Sequence, residues 1–70
     1  MELKRLKDII NNYPKNEVLT EWEGQIISAF HIDSDLYLDS EVFEIMEIKT
    51  KKDVLKLIDL LITKVKERRN

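Results

Sequence analysis

This sequence of 70 residues is 43% hydrophobic and 37% charged, with no Cys and a formal net charge of −2. The length fits one small domain over residues 1–70. A chain without Cys has no disulfides, thiol nucleophiles or thiolate metal sites, and it fits a reducing compartment. No apolar run approaches the roughly 18 residues that span a bilayer. We therefore expect a cytoplasmic protein that does not contact a membrane.

The N-terminal segment has the periodicity of an amphipathic helix over residues 2–12, because its apolar residues recur at three- and four-residue spacing. Stop signals follow at Asn11, Asn12 and Pro14. The apolar stripe consists of Leu3, Leu6, Ile9, Ile10 and Tyr13.

The segment 17–39 admits two interpretations. Residues 17–22 alternate, and turn signals at Gly24 and at 33–35 divide the rest into short runs that are typical of a three-stranded antiparallel meander. The same apolar residues also fit one face of a helix, but a mid-helix Gly24 would cost about 1 kcal/mol. We prefer the meander.

Residues 41–48 could form a fourth strand or one or two helical turns. The alternation of Phe43 and Ile45 with Glu44 favours the strand.

The C-terminal segment predicts a long amphipathic helix from 51 to about 67. Thr50 and Asp53 have the spacing of a capping box at its start. Leu60 alone lies outside the apolar arc of this helix. The predicted fold class is α+β, with an N-terminal helix, a three- to four-stranded antiparallel meander and a C-terminal helix, both helices covering one sheet face.

The charges are unevenly distributed along the chain. Residues 17–48 contain nine carboxylates and no Lys or Arg, whereas residues 49–70 contain eight basic residues and three acidic ones. The only histidine, His31, has no Cys or Ser partner at a recognisable spacing, so we predict no catalytic residues, no cofactor and no metal.

We expect a non-enzymatic protein-binding module, an accessory protein or an inhibitor, that docks an acidic sheet face with aromatic anchors on a basic protein surface. A nucleic-acid-binding host protein would present such a surface. The predicted partner-binding residues are Glu17, Glu21, Trp22, Glu23, Asp33, Asp35, Tyr37 and Asp39.

Two alternatives stay open. The basic terminal helices could bind nucleic acid, although the aromatic residues lie in the acidic middle, which repels phosphate. The protein could instead form a homodimer, with Leu60 at a two-fold interface.

Residues 3–40 resemble a pattern in small proteins of bacteriophages and mobile elements. In that pattern a short helix precedes Tyr-Pro-x-x-x-Val, a Gly turn and a closing Tyr-Leu strand. The matching residues here are Tyr13, Pro14, Val18, Gly24, Tyr37 and Leu38. The resemblance implies a helix-plus-meander fold and a phage origin, and it transfers no active site.

Overall fold

The computed structural model describes residues 1–15 and 22–69, and no strand occurs among them. The predicted α+β fold with an antiparallel meander is therefore wrong, as is the helix-plus-meander fold implied by the resemblance to phage proteins. The described part of the chain contains four helices, which are α1 (Glu2–Asn11), α2 (Glu23–Ser34), α3 (Glu41–Ile45) and α4 (Lys51–Arg69).

The two terminal helices confirm the predictions made from their apolar stripes. Helix α1 ends within one residue of the predicted boundary, and α4 extends two residues beyond it. The capping box at the start of α4 is also present. The backbone N–H of Thr50 donates to Asp53 Oδ2 (3.1 Å), and the backbone N–H of Asp53 donates to Thr50 Oγ1 (3.3 Å).

Helix α2 replaces the predicted strands over residues 23–34 and follows the alternative interpretation. Trp22, Ile26, Ala29 and Phe30 are all buried, which is the spacing of one helical face. The objection to a helix does not hold, because Gly24 lies in the first turn rather than in the middle. Residues 17–21, which were to form the first strand, lie outside the described residues.

The turn signal at residues 33–35 is real but ends a helix instead of joining two strands. Asp35 adopts the left-handed conformation (φ 62°), and its backbone N–H donates to the His31 carbonyl at 2.8 Å. Ser34 is buried and donates its hydroxyl to the Phe30 carbonyl (2.6 Å). An Asp at the left-handed position is typical of a helix C-terminus as well as of a turn.

Helix α3 occupies the segment that was predicted as a fourth strand. The Asp39 carboxylate accepts the backbone N–H of Glu41 (2.9 Å) at its start. At its end, the backbone N–H groups of Glu47 and Ile48 donate to the carbonyls of Glu44 (3.0 Å) and Phe43 (2.9 Å). These two bonds, with Glu47 at φ 52°, form a Schellman motif.

The core lies between α1, α2 and α4, which pack on one another. Helix α3 adds one buried side chain, Phe43, to this core. Because the sheet is absent, the terminal helices pack on each other and on α2 rather than covering a sheet face. The most buried core residues are Leu3, Ile10, Ile26, Val54, Ile58 and Val65.

Polar contacts hold the helix ends together. The backbone N–H groups of Glu2 and Leu3 donate to the two carboxylate oxygens of Asp33 (3.0 and 2.9 Å), so the end of α2 caps the start of α1. Lys7 Nζ lies 2.6 Å from Asp59 Oδ1 and links α1 to α4. These contacts join α1, α2 and α4, whereas α3 is positioned by apolar packing of Phe43 and of half-buried Leu38, Val42 and Ile48 against the core.

Candidate binding groove

An apolar groove of about 340 Å³ runs between α3 and α4. We call it the α3–α4 groove. Apolar side chains from both sides form most of its lining, with Thr63, Lys64 and Glu67 completing the α4 side. The apolar lining residues are Leu38, Val42, Met46, Leu57, Leu60 and Leu61.

The groove forms between two segments of the chain. Leu38 precedes α3, Val42 lies within it and Met46 follows its last residue, and together they form one apolar edge of the groove. On α4, Leu57 and Leu61 are buried, whereas Leu60 is 55% exposed. Helix α3 is only five residues long and buries one side chain, Phe43, while Val42 packs half-buried against the core.

Leu60 is the one lining residue of the groove that the sequence pattern had singled out. The sequence placed it outside the apolar arc of α4, and the structure leaves it 55% exposed. The other lining residues were not predicted as a site. Leu38 and Met46 lie outside α3, so no helical spacing in the sequence links them to Val42.

The α3 side of the groove is acidic. Residues 39–47 contain four carboxylates and no cation. At about 100° per residue, Glu41 lies beside Val42 on the side away from Phe43, and it is not one of the residues that line the groove. Glu44 lies about 160° from Val42, on the far side of α3.

The α4 side of the groove carries charges of both signs, because Lys64 and Glu67 line it. Lys64 lies one turn after Leu60 and is exposed, whereas Lys56, one turn before Leu60, is exposed but does not line the groove. Neither of them, nor Glu41, forms an ion pair with any described residue. The groove therefore has an apolar floor, and the two charged residues of its lining, Lys64 and Glu67, lie on α4 and are opposite in sign.

The described residues form no sheet that could carry the predicted acidic docking face, and the described carboxylates of that face are spread along α2 and the segment after it. Helix α2 has 12 residues and spans about 18 Å, so Glu23 at its start and Asp35 after its end lie far apart. Asp33 caps α1 and is engaged by two backbone N–H groups. Glu17 and Glu21 lie outside the described residues.

The two predicted aromatic anchors have opposite environments. Trp22 is buried in the core, where its ring meets Tyr13 edge to face at 5.7 Å between centroids. Tyr37 is 83% exposed and stacks on His31, with centroids 4.4 Å apart and an interplanar angle of 18°. Tyr37 is thus available at the surface, in the same segment as Asp35 and Asp39, and Trp22 is not.

A second groove, of about 300 Å³, lies between α1 and α2. We call it the α1–α2 groove. Polar side chains form much of it, and two of them pair with each other, Arg5 Nη2 with Glu2 Oε2 at 3.3 Å. The residues that line it are Glu2, Arg5, Ile9, Gln25, Ser28 and Ile32, together with Leu6, Gly24 and Ala29.

One carboxyl group has a clearly shifted pKa. The hydrogen bond from the Thr50 backbone N–H, followed by that from the Lys49 backbone N–H, lowers the pKa of Asp53 below its ordinary value. This shift reflects the cap of α4 and not a reacting centre. Among residues 1–15 and 22–69, no group of three His, Asp or Glu side chains could hold a metal ion.

None of the helices in this part of the chain is both long and apolar enough to cross a membrane. Comparisons with protein-family models, with curated proteins and with solved structures found no match to this chain. Its function therefore has to be inferred from its own surface.

Proposed function

We propose that this protein is a non-enzymatic binding module that holds another protein in the α3–α4 groove. The observation that carries the proposal is the apolar lining around Leu60, which is open to solvent in a chain of only 70 residues. Exposed contiguous apolar surface with a polar rim is typical of a protein interaction site. An accessory protein or an inhibitor would act through binding of this kind.

The chemistry of the groove supports a protein partner. Leucine, valine and methionine side chains give non-directional contacts, and methionine at an interface adapts to the shape of what it meets. Met46 is exposed on the groove edge, and Ile45, which is 76% exposed, extends the apolar surface beyond it. Such a surface suits the apolar face of an amphipathic segment.

A second copy of the chain suits the groove less well. In a two-fold interface, antiparallel α4 helices that meet at Leu60 would place Lys56 of one copy opposite Lys64 of the other. The same register would place Asp53 opposite Glu67. Both pairs are like-charged, which disfavours a homodimer through Leu60.

Nucleic-acid binding by the terminal helices has weaker support. Lys7 is paired with Asp59, and Lys51 Nζ donates to the Tyr13 carbonyl at 2.8 Å. These two basic residues therefore serve contacts within the fold.

The cytoplasmic location expected from the sequence remains part of the proposal, supported by the cysteine-free composition.

The test is capture of partners by the full chain and by two matched variants. Leu60→Lys places a charge on the groove floor, whereas Ile32→Lys makes the same kind of change on α2, where Ile32 is 62% exposed. We expect a partner that is retained by the wild type and by Ile32→Lys and lost by Leu60→Lys. Retention by both variants, or loss from both, contradicts the proposal.

A further inference from the structure

We infer that residues 38–48 form a lid, which unfolds as one unit while the three-helix core of α1, α2 and α4 stays folded. We call this segment the α3 lid. It carries Leu38, Val42 and Met46, which form one edge of the α3–α4 groove. The lid is a property of the protein without a partner, so it goes beyond the proposed function, and the two can fail separately.

The α3 lid has no polar tie to the rest of the described fold. Its hydrogen bonds join lid residues to one another, as in the bond from the Ile48 backbone N–H to the Phe43 carbonyl (2.9 Å). No described residue outside the lid forms a hydrogen bond or an ion pair with it. By contrast, the Asp33 cap joins α2 to α1, and the Lys7–Asp59 pair joins α1 to α4. Opening the lid therefore leaves the polar contacts of the three-helix core intact.

Apolar packing holds the α3 lid closed. Phe43 is 6% exposed and belongs to the core, and half-buried Leu38, Val42 and Ile48 pack against that core. All other residues of the lid are exposed. A segment with few buried apolar contacts and solvent-exposed backbone hydrogen bonds opens at a lower free energy than the whole domain.

Helix α3 is too short to persist in water once it leaves the core. Its five residues form too few internal hydrogen bonds to offset the nucleation of an isolated helix. The left-handed conformation of Glu47 (φ 52°) belongs to the Schellman motif and is lost with the helix. Opening therefore releases the backbone N–H groups of the lid together, and hydrogen exchange can measure it.

Both ends of the lid are attached to neighbouring helices. Before the lid, the backbone N–H of Leu36 donates to Ser34 Oγ (3.2 Å), and the Leu36 carbonyl lies 3.3 Å from His31 Nδ1. After the lid, the backbone N–H of Lys49 donates to Asp53 Oδ2 (3.2 Å). These attachments lie outside the lid, so they confine the opening to the segment between them.

The α3–α4 groove exists only while the lid is closed. Opening removes the edge that the lid provides and leaves the α4 side as an apolar face of the three-helix core, with Leu57, Leu60 and Leu61. A ligand that contacts both sides of the groove would favour the closed lid. The lid thus couples the folding of α3 to the occupation of the groove.

The experiment is amide hydrogen exchange of the full chain, followed by NMR under conditions in which closing is faster than chemical exchange. The backbone N–H groups of Phe43, Met46 and Ile48 report opening of the lid. We expect these three to share one protection factor, roughly tenfold or more below that of the core. The amides that report the core are those of Ile10, Phe30 and Ile58.

Two matched substitutions distinguish opening of the lid from global unfolding. Val42→Ala weakens the closed lid, so it should speed the exchange of lid and core amides alike, about fivefold. Ile10→Val removes one methyl group from a fully buried side chain of α1. Because α1 stays folded when the lid opens, this change should speed the core amides about fivefold and leave the lid amides unchanged.

Two results would overturn the lid. Equal protection of lid and core amides, with Ile10→Val speeding both, would show that α3 opens only when the whole domain unfolds. Lid amides that exchange as fast as those of an unstructured chain would show that no closed lid exists. The proposed function is judged separately, by the loss of a partner in Leu60→Lys.

Discussion

The two grooves of this small protein are similar in volume and different in chemistry. The α1–α2 groove, of about 300 Å³, has a Glu2–Arg5 ion pair within its lining. The α3–α4 groove, of about 340 Å³, is lined mainly by Leu, Val and Met, and its two charged lining residues, Lys64 and Glu67, form no ion pair with a described residue. Volume therefore does not separate a binding surface from an ordinary depression, whereas the lining does.

The reason for the difference lies in how the helices are joined. Helices α1 and α2 are held at one end by the Asp33 cap, and both contribute several side chains to the core. Helix α3 contributes one buried side chain, Phe43, and half-buried Val42 packs beside it against the core. This short helix covers little of α4, so apolar surface remains open between them.

The largest expected effect comes from removing the anchor of α3. Phe43→Ala should lower the free energy of unfolding by about 3 kcal/mol, because the buried ring leaves a cavity. The α3–α4 groove should lose its α3 side while the α1–α2 groove persists. Chemical denaturation measures the free energy of unfolding, and amide hydrogen exchange over residues 41–45 measures whether α3 is still formed.

Val42→Ala serves as the control, because Val42 is half-buried on the groove side of the same helix. It should lower the free energy of unfolding by about 1 kcal/mol and leave α3 protected. Equal effects of the two substitutions would show that Phe43 is not the anchor.

The next effect concerns the α1–α2 end of the molecule. Asp33→Ala removes the acceptor of two backbone N–H groups at the start of α1 and should lower the free energy of unfolding by about 1.5 kcal/mol. Thermal denaturation beside Asp8→Ala, an exposed carboxylate within α1, measures the difference. A destabilisation by Asp8→Ala as large as that by Asp33→Ala would argue against the cap.

A smaller, stabilising effect is expected at the C-terminal end of α3. Glu47→Gly relieves a left-handed residue (φ 52°) in the Schellman motif and should raise the free energy of unfolding by about 0.5 kcal/mol. Glu44→Gly, inside α3, should lower it by about as much. Urea denaturation of both variants gives the sign of each change in the free energy of unfolding. A lower free energy of unfolding for Glu47→Gly than for the wild type would contradict the Schellman motif.

The smallest expected effect is the pH dependence of the α4 cap. Because folding lowers the pKa of Asp53 from its ordinary value of 3.8, its contribution is complete above that pH. The contribution is lost as the pH falls through the lowered pKa of the folded state. The free energy of unfolding, measured from neutral to acidic pH, should fall less steeply for Asp53→Asn than for the wild type. The same pH dependence in both proteins would contradict the role of Asp53 in the α4 cap.

The sequence was sufficient to predict the helices whose apolar residues form one long stripe. Helices α1 and α4 have such stripes, and their stop and capping residues lie at the expected spacing. Helix α2 was missed because apolar residues lie all around it, from Ile26 and Ile27 to Ile32, so no single stripe contrasts with a polar face. Its exposed Ile32 adds to the ambiguity.

The α3 segment shows a different limit of sequence interpretation. Five residues are too few to distinguish a helical period from alternation, and Phe43 and Ile45 were expected on one face. The structure buries Phe43 and exposes Ile45, as a helix requires. The groove depends on this helix, so Leu60 was the only part of it that the α4 pattern could reveal.

The most direct test of the binding groove is a map of where an amphipathic partner segment binds. Backbone amide shifts of the full chain are recorded by NMR during titration with an amphipathic peptide that carries a stripe of leucines. The groove predicts shifts at Leu38, Val42, Met46 and Leu60, with Ile9 and Ile32 unchanged. Shifts centred on Ile9 and Ile32, or none at Leu60, would contradict it.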